Sequence, residues 1–262
     1  MPPLPAGPPL MMFVRRDTMH RALLSLASLL SLATYLPAQQ PPPVRALLLT
    51  GGHGFNQKAF FALFDRMRTI RYEHHAFPDA ANLLASQDRF DVIIAYDMWN
   101  GPLTDAQKSG YLNFIRQGGG LVALHHALAG HQSWPEFHLM LGGRYFLSPQ
   151  RWQGRQYARG IPTHGQRLRV TIADPKHPVT RGLEPFTIHD ETYKGYWVSP
   201  DVHPLLRTDH PKSERIIAWC KSYGKGRVVY IQLGHGPEAY GHPAYARLVR
   251  QAILWTAHRD NR

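Results

Sequence analysis

The apolar residues of this chain fall into short runs that alternate with segments of helical spacing. Nearly continuous apolar runs are typical of parallel strands covered on both faces. In the first half, such runs predict strands at Val44–Thr50, Asp91–Tyr96 and Leu121–Leu124, and a further strand is predicted at Ile70–Ala76. Between them, Gln57–Arg68 has apolar residues at helical spacing, and Thr104 is a typical N-cap for a helix ending at the glycines 118–120. This alternation indicates right-handed βαβ units and a mostly parallel sheet with helices on both faces.

The second half is less regular. Residues 144–165 are polar and aromatic without a clear period, and we interpret them as an excursion that shapes a pocket. Arg167–Ala173 alternates like a strand, Glu214–Trp219 and Arg227–Leu233 resemble an antiparallel pair, and His242–His258 predicts a closing helix. Neither an internal repeat nor a linker interrupts this pattern. We therefore predict a single domain over residues 44–262.

Residues 1–43 have a different character. Basic residues precede an uncharged apolar run, Ala22–Leu36, and a proline run follows at residues 41–43. This layout is typical of a secretory signal peptide at about residues 19–38, with cleavage after Ala38. The run is shorter than the roughly 20 residues of a spanning helix. The expectation is an exported protein, periplasmic or extracellular, with no stable membrane span.

Composition excludes several classes of protein. The single cysteine, Cys220, excludes a disulfide framework and a cysteine-rich zinc module, and its apolar surroundings predict a buried small hydrophobe. The net charge is +12, from 30 Lys and Arg against 18 Asp and Glu. Because no run of Lys or Arg and no RNA-binding aromatic signature accompanies this charge, we interpret it as a solvated basic face and expect no nucleic-acid partner.

Histidines supply the candidate chemistry. Six of them follow predicted strands or lie in glycine-rich loops: His53, His125, His126, His131, His189 and His235. Ligand crevices of such sheets lie beyond the carboxyl ends of the strands, so these imidazoles are expected at one rim. With a carboxylate they can bind a divalent metal, for which Zn²⁺ is suitable, or they can act as general acids and bases. No HExxH motif decides between the two.

Two polar segments add to this set. In the segment His189-Asp190-Glu191-Thr192-Tyr193, an extended backbone turns Asp190 away from its two neighbours. Tyr193 and Trp197 are expected in a pocket wall, where flat rings pack against sugar faces. His235 lies in a glycine-flanked turn that allows close approach by a ligand.

Several ordered motifs resemble the ThuA-like family, which is named for trehalose utilisation. The resemblance covers about residues 44–258. Its motifs are GGHGF at 51–55, GGGLVALHHA at 118–127, WPEF at 134–137, HPVTRGL at 177–183, HDETY at 189–193 and YGKGRVVYIQLGH at 223–235.

The resemblance implies a class I glutamine amidotransferase-like fold, which is a flavodoxin-like three-layer sandwich. It places His125 where an amidotransferase carries its cysteine nucleophile, and it places His235 at the catalytic histidine. Because the elbow has no cysteine, amidotransferase activity is not expected.

The resemblance also implies a role in disaccharide catabolism, alongside oxidoreductases that make 3-keto sugars. The predicted substrate is a small sugar, either a disaccharide or a 3-keto derivative. His125 and His235 are assigned acid–base or ligand roles, and Asp190 and Glu191 orient or assist them. His53, Asp97, His126 and His131 are expected to line the crevice with Tyr193 and Trp197, and the metal-ligand candidates are His125, His189 and His235.

Two other functions remain open at this point. The same crevice would suit a non-catalytic carbohydrate-binding protein. It would also suit a metal-assisted hydrolase of another substrate, such as an amide or an ester. A homo-oligomer is also compatible with the sequence.

Overall fold

The computed structural model describes residues 41–86 and 88–259, together with residues 1–4, 7, 9 and 11. The chain divides into two units, Met1–Gln40 and Pro41–Arg262. The predicted signal peptide belongs to the first unit and lies outside the described residues. In the part that is described, no helix has both the length and the apolar character needed to cross a membrane.

Within the described residues, nine strands of the second unit form one sheet in the order β2-β1-β3-β4-β13-β12-β11-β8-β9, and two small sheets pair β10 with β5 and β6 with β7. The strands are β1 Val44–Gly51, β2 Ile70–Ala76, β3 Val92–Asp97, β4 Gly120–Leu124, β5 Gly143–Arg144, β6 Gln150–Trp152, β7 Arg155–Tyr157, β8 Ile161–Ile172, β9 Phe186–Lys194, β10 Trp197–Val198, β11 His203–Thr208, β12 Ile216–Tyr223 and β13 Gly226–Ile231.

Five α-helices surround this sheet in the described residues. They are α1 Gln57–Asp65, α2 Asp105–Arg116, α3 Pro135–Leu141, α4 Pro237–Tyr240 and α5 Pro243–Thr256. Short 3₁₀ helices cover Asp79–Leu83 and His125–Ala129. Thr104 caps α2 in a reciprocal capping box with Gln107, as its position before the helix predicts.

Alternate side chains of the parallel strands pack against different helices. Along β1, Ala46 and Leu48 join a core that includes α1 and α5, whereas Leu47 and Leu49 join a core that includes α2 and α3. Strand side chains point alternately to the two faces of a sheet, so an apolar run is buried on both. The result is the predicted three-layer α/β sandwich.

The sheet has a parallel part and an antiparallel part. The strands β2, β1, β3, β4 and β13 pair in parallel. From β13 onward, the pairs with β12, β11, β8 and β9 are antiparallel. Because β4 and β13 are parallel neighbours, their carboxyl ends, at Leu124 and Ile231, lie side by side.

The hydrophobic periodicity does not predict all the elements in the second half of the chain. It predicts neither β11 nor α3, and it begins β8 at Arg167, whereas the strand starts at Ile161. The early part of β8 is polar and mostly exposed, and it carries a bulge between Thr163 and Gln166, which disturbs the period of two.

Candidate functional site

His125 lies at the centre of the site, immediately after β4. Its side chain is fully buried, and its backbone is left-handed, with φ of 50°. Nδ1 lies 2.7 Å from the carbonyl oxygen of Gln232. Because a carbonyl only accepts, Nδ1 carries a proton that it donates to Gln232, and Nε2 faces side chains of β9.

Glu191, on β9, faces that nitrogen. Its Oε2 lies 2.9 Å from Nε2 of His125 and 3.1 Å from Nδ1 of His235, and its Oε1 lies 3.2 Å from Nδ1 of His164. Burial alone would raise the pKa of Glu191, but the hydrogen bonds with His125 and His235 outweigh it and hold the pKa well below its usual range. Glu191 is therefore an ionised, nearly buried carboxylate surrounded by imidazoles.

β9 reaches this position because the antiparallel part of the sheet curves. Four strand spacings separate β9 from β13 in the sheet order, which in a flat sheet would amount to about 19 Å. Yet Glu191 lies 3.1 Å from His235, which follows β13. The curvature therefore closes the crevice on one side.

Asp190 holds the turn that carries His235. Its carboxylate accepts hydrogen bonds from the backbone N–H groups of Gly234 at 2.7 Å, His235 at 2.9 Å and Glu191 at 2.9 Å. Gly234 has φ of 113°, a conformation that side chains rarely adopt. Asp190 thus fixes the backbone of His235, whose pKa is raised by its hydrogen bond with Glu191.

Tyr193 completes the cluster from the same face of β9 as Glu191. Its hydroxyl lies 2.8 Å from Nε2 of His125, and its ring stacks on the imidazole with centroids 4.8 Å apart. Burial, and then the charge of Glu191, raise the pKa of Tyr193 well above 10. The hydroxyl therefore remains protonated at neutral pH and donates to the cluster.

A cavity of about 250 Å³ opens beside Glu191 and Tyr193. Its other polar lining residues are His53, His126, Tyr145, Arg159 and His164. The volume lies just below the range of roughly 300–1,000 Å³ that encloses drug-sized ligands. It suits a ligand group about the size of one sugar ring.

His126 leaves a buried nitrogen unpaired beside this cavity. Its Nε2 lies 3.3 Å from the carbonyl oxygen of Tyr96, and its Nδ1 has no hydrogen-bond partner. The ring centroids of His53 and His126 lie 4.6 Å apart. An unsatisfied buried polar atom is unfavourable, so Nδ1 of His126 is available to a ligand.

The sequence matches the ThuA family, described as "Trehalose utilisation", over residues 45–256. This chain belongs to the ThuA family. No curated protein matches it significantly.

Solved structures with the same fold include two ThuA-like proteins. The protein from Parabacteroides merdae is 18% identical with a TM-score of 0.68, over 82% of this chain and 90% of that one. The protein from Bacteroides uniformis is 22% identical with a TM-score of 0.62, over 84% and 95%. A β-galactosidase from Rahnella sp. R3 is similar over 80% of this chain but 31% of its own, at 12% identity and a TM-score of 0.52. At these identities the likeness concerns the fold.

In this ThuA protein the amidotransferase-like elbow carries His125 in a sharp strand-to-helix turn. The left-handed φ of His125 is the strained conformation expected of such an elbow. The one cysteine, Cys220, is buried in β12, with Sγ 3.5 Å from Nε2 of His177. Burial, and then the charge of Asp174, raise its pKa to about 12, so the thiol is protonated rather than activated.

The other predicted residues are distributed unevenly. His53, His126 and Tyr193 line the cavity, and so does Glu191, which forms its floor and contacts His125 and His235 behind it. Asp97 and His131 instead form their own buried pair, with Oδ2 3.1 Å from Nε2, and neither lines the cavity.

Two further candidates lie elsewhere. His189 is half-exposed and pairs with Glu238, so it stays apart from the cluster. Trp197 packs against Trp152 and lines a different cavity of about 530 Å³ together with Arg155 and Tyr157.

The sequence analysis missed three polar residues that line the cavity, Tyr145, Arg159 and His164, all within the aperiodic segment 144–165. The bulge in β8 re-aims His164 toward Glu191. The polar and aromatic composition of that segment predicts a pocket wall, but it does not show which of its residues face the cavity.

One set of donor atoms in the described part of the chain has the composition of a metal site. His125, Glu191 and His235 each offer one ligand atom, and these atoms lie within 4.8 Å of one another. His189, a metal candidate from the sequence, does not contribute.

Proposed function

We propose that this protein is a sugar-processing enzyme that acts on a disaccharide or a 3-keto-sugar derivative. The observation that carries the proposal is the convergence of His125, Glu191 and His235 beside a cavity of one-ring size. Perturbed ionisable groups gathered in one pocket are typical of catalytic sites. Family membership supports the choice of a sugar as the substrate.

The chemistry best suited to these residues is an elimination next to a ketone. A base removes the proton from C2 beside the C3 ketone, and the electron pair of that bond forms a C1–C2 double bond. The glycosidic C1–O bond breaks with it, and the leaving oxygen takes a proton from an acid. Imidazole side chains act as general acids and bases, and His53, His126 and His164 line the cavity where the two proton transfers would take place.

The ketone oxygen gains negative charge in this step and needs a positive partner. The imidazole of His235, whose pKa is raised by its hydrogen bond with Glu191, is the group beside the cavity that can supply this positive charge. Tyr145 and Tyr193 add hydroxyl groups that donate hydrogen bonds, since burial raises the pKa of Tyr145 to about 12. One ring then occupies the cavity while the rest of the substrate extends past its rim.

The test compares turnover with binding for a panel of disaccharides and their 3-keto forms. His125→Ala and His235→Ala should lose at least about 100-fold in turnover while folding is retained, and His203→Ala, an exposed histidine paired with Asp174, should not. Binding of the panel without any turnover by the unmodified chain would instead indicate a carbohydrate-binding protein. Cleavage of amides or esters, with no turnover of the sugars, would instead indicate a metal-assisted hydrolase of another substrate.

We also propose that the protein is exported. The support is the layout of residues 19–38, with its basic flank, its apolar run and its small residue at the exit. N-terminal sequencing of the protein from its native cell should begin near Gln39, whereas an intact N-terminus would contradict export by cleavage.

A further inference from the structure

The three atoms at the floor of the cavity form a nearly equilateral triangle. Nε2 of His125 lies 2.9 Å from Oε2 of Glu191 and 3.1 Å from Nδ1 of His235, and the third side also measures 3.1 Å. All three separations are in the range of hydrogen bonds.

Protons cannot satisfy all three contacts. A ring nitrogen either donates or accepts a hydrogen bond, and an ionised carboxylate only accepts. If both nitrogens carry protons, they oppose each other across 3.1 Å; if either lacks one, its lone pair faces the carboxylate of Glu191. A neutral His125 ring, with its proton on Nδ1 donated to Gln232, offers the lone pair of Nε2 to the triangle and to the hydroxyl of Tyr193, 2.8 Å away.

We propose that His125, Glu191 and His235 bind one divalent transition-metal ion. A cation above the triangle would remove this conflict, because each of the three atoms would then direct a lone pair at the ion. Two histidines and one carboxylate on one face, with positions left open, are the ligand set of many catalytic metal sites.

The separations also indicate the coordination. With ligand bonds of about 2.1 Å, neighbouring ligands lie about 3.0 Å apart at right angles and about 3.4 Å apart at tetrahedral angles. The observed 2.9–3.1 Å fits a right-angled face, which leaves further positions toward the cavity.

The surroundings hold the ligands as metal sites usually do. Gln232 fixes the ring of His125 through Nδ1, Asp190 fixes the backbone of His235, and His164 contacts the second oxygen of Glu191. Such outer contacts set ring orientation and ligand basicity. This inference rests on the proposed function in one respect only: the ion would polarise the ketone of the sugar as a Lewis acid.

The experiment measures metal content and affinity independently of activity. The full chain, without a histidine tag, is dialysed against Zn²⁺, Mn²⁺ or Co²⁺, and the bound metal is counted by elemental analysis, with visible absorption for Co²⁺. We expect about one ion per chain. Glu191→Gln and His235→Ala should each weaken binding at least about 100-fold.

Two matched variants control for surface histidines. His189→Ala and His203→Ala each remove a half-exposed imidazole that is paired with a carboxylate, and both should bind as the unmodified chain does. If Glu191→Gln does not fold, His235→Ala, whose side chain is one-third exposed, provides the same test.

Two results would overturn the metal site: no stoichiometric ion in the unmodified chain, or undiminished affinity in folded Glu191→Gln and His235→Ala. If the first of these results is accompanied by turnover of keto sugars, the metal site fails while the proposed enzyme stands. A stoichiometric ion lost in both variants supports the site, even where the sugar panel shows no turnover and the proposed function fails.

Discussion

Nε2 of His125 and Oε2 of Glu191 lie 2.9 Å apart, although 66 positions of chain separate the two residues. His125 follows a central parallel strand, whereas Glu191 belongs to β9 at the far edge of the sheet. Their contact therefore depends on the curvature of the antiparallel strands, and so does any chemistry at the floor of the cavity.

Replacing Tyr193 by Phe should reduce turnover without unfolding the protein. The change removes the hydroxyl that lies 2.8 Å from Nε2 of His125 while the buried ring remains. We expect a loss of roughly 10–100-fold in kcat and about 1 kcal/mol of stability. Steady-state kinetics and urea unfolding measure both. Tyr72→Phe, which loses a hydroxyl bonded to Asp65, is the control; equal kcat in the two variants would contradict the role of Tyr193.

Two neighbouring glycines should respond differently to alanine. At Gly234, φ is 113° and an added Cβ would lie 2.1 Å from the hydroxyl oxygen of Tyr245, whereas at Gly236 nothing lies within 4 Å. Gly234→Ala should cost more than about 2 kcal/mol and lower turnover by displacing His235, and Gly236→Ala should cost less than about 1 kcal/mol. Thermal unfolding compares them, and equal costs would contradict this account of the turn.

Cys220 should be unreactive in the folded protein. Because burial raises its pKa to about 12, almost no thiolate exists at pH 8. Reaction with a thiol reagent should be at least about 100-fold slower than in the urea-unfolded chain, and Cys220→Ala should retain turnover. Fast labelling of the folded protein, or loss of turnover on alanine substitution, would reopen a cysteine mechanism.

Asp91 should make the free energy of unfolding depend on pH in the acid range. Burial alone would raise its pKa, but hydrogen bonds from the side chain and backbone of Arg45 outweigh it and hold the pKa below 3.8. A carboxylate with a lowered folded pKa contributes stability that is present above its unfolded pKa and is lost as the pH falls through the folded value.

Asp91→Asn should therefore unfold at lower urea concentration than the unmodified chain at pH 7, and the difference should shrink below about pH 3.5. Asp209→Asn, at an exposed loop carboxylate, should match the unmodified chain at both pH values. A difference between Asp91→Asn and the unmodified chain that stays constant with pH would show that the Arg45 interaction does not act through charge.

The sequence alone determined the parallel half of the fold and two members of the site. Apolar runs such as Val44–Thr50 and Leu121–Leu124 must be buried on both faces, and parallel strands bring their carboxyl ends to one edge, which predicts that His125 and His235 meet. These are consequences of the local residue pattern and of strand pairing alone.

Only the tertiary structure decided which residue joins His125 and His235 in the cluster, and which residues form the wall of the cavity. Glu191 rather than His189 reaches the cluster because the antiparallel strands curve and a bulge interrupts β8, while His189 turns to Glu238. Asp97 pairs with His131 because both are buried together. Sheet curvature and the pairing of buried charges depend on contacts between residues far apart in the chain, and no local period records them.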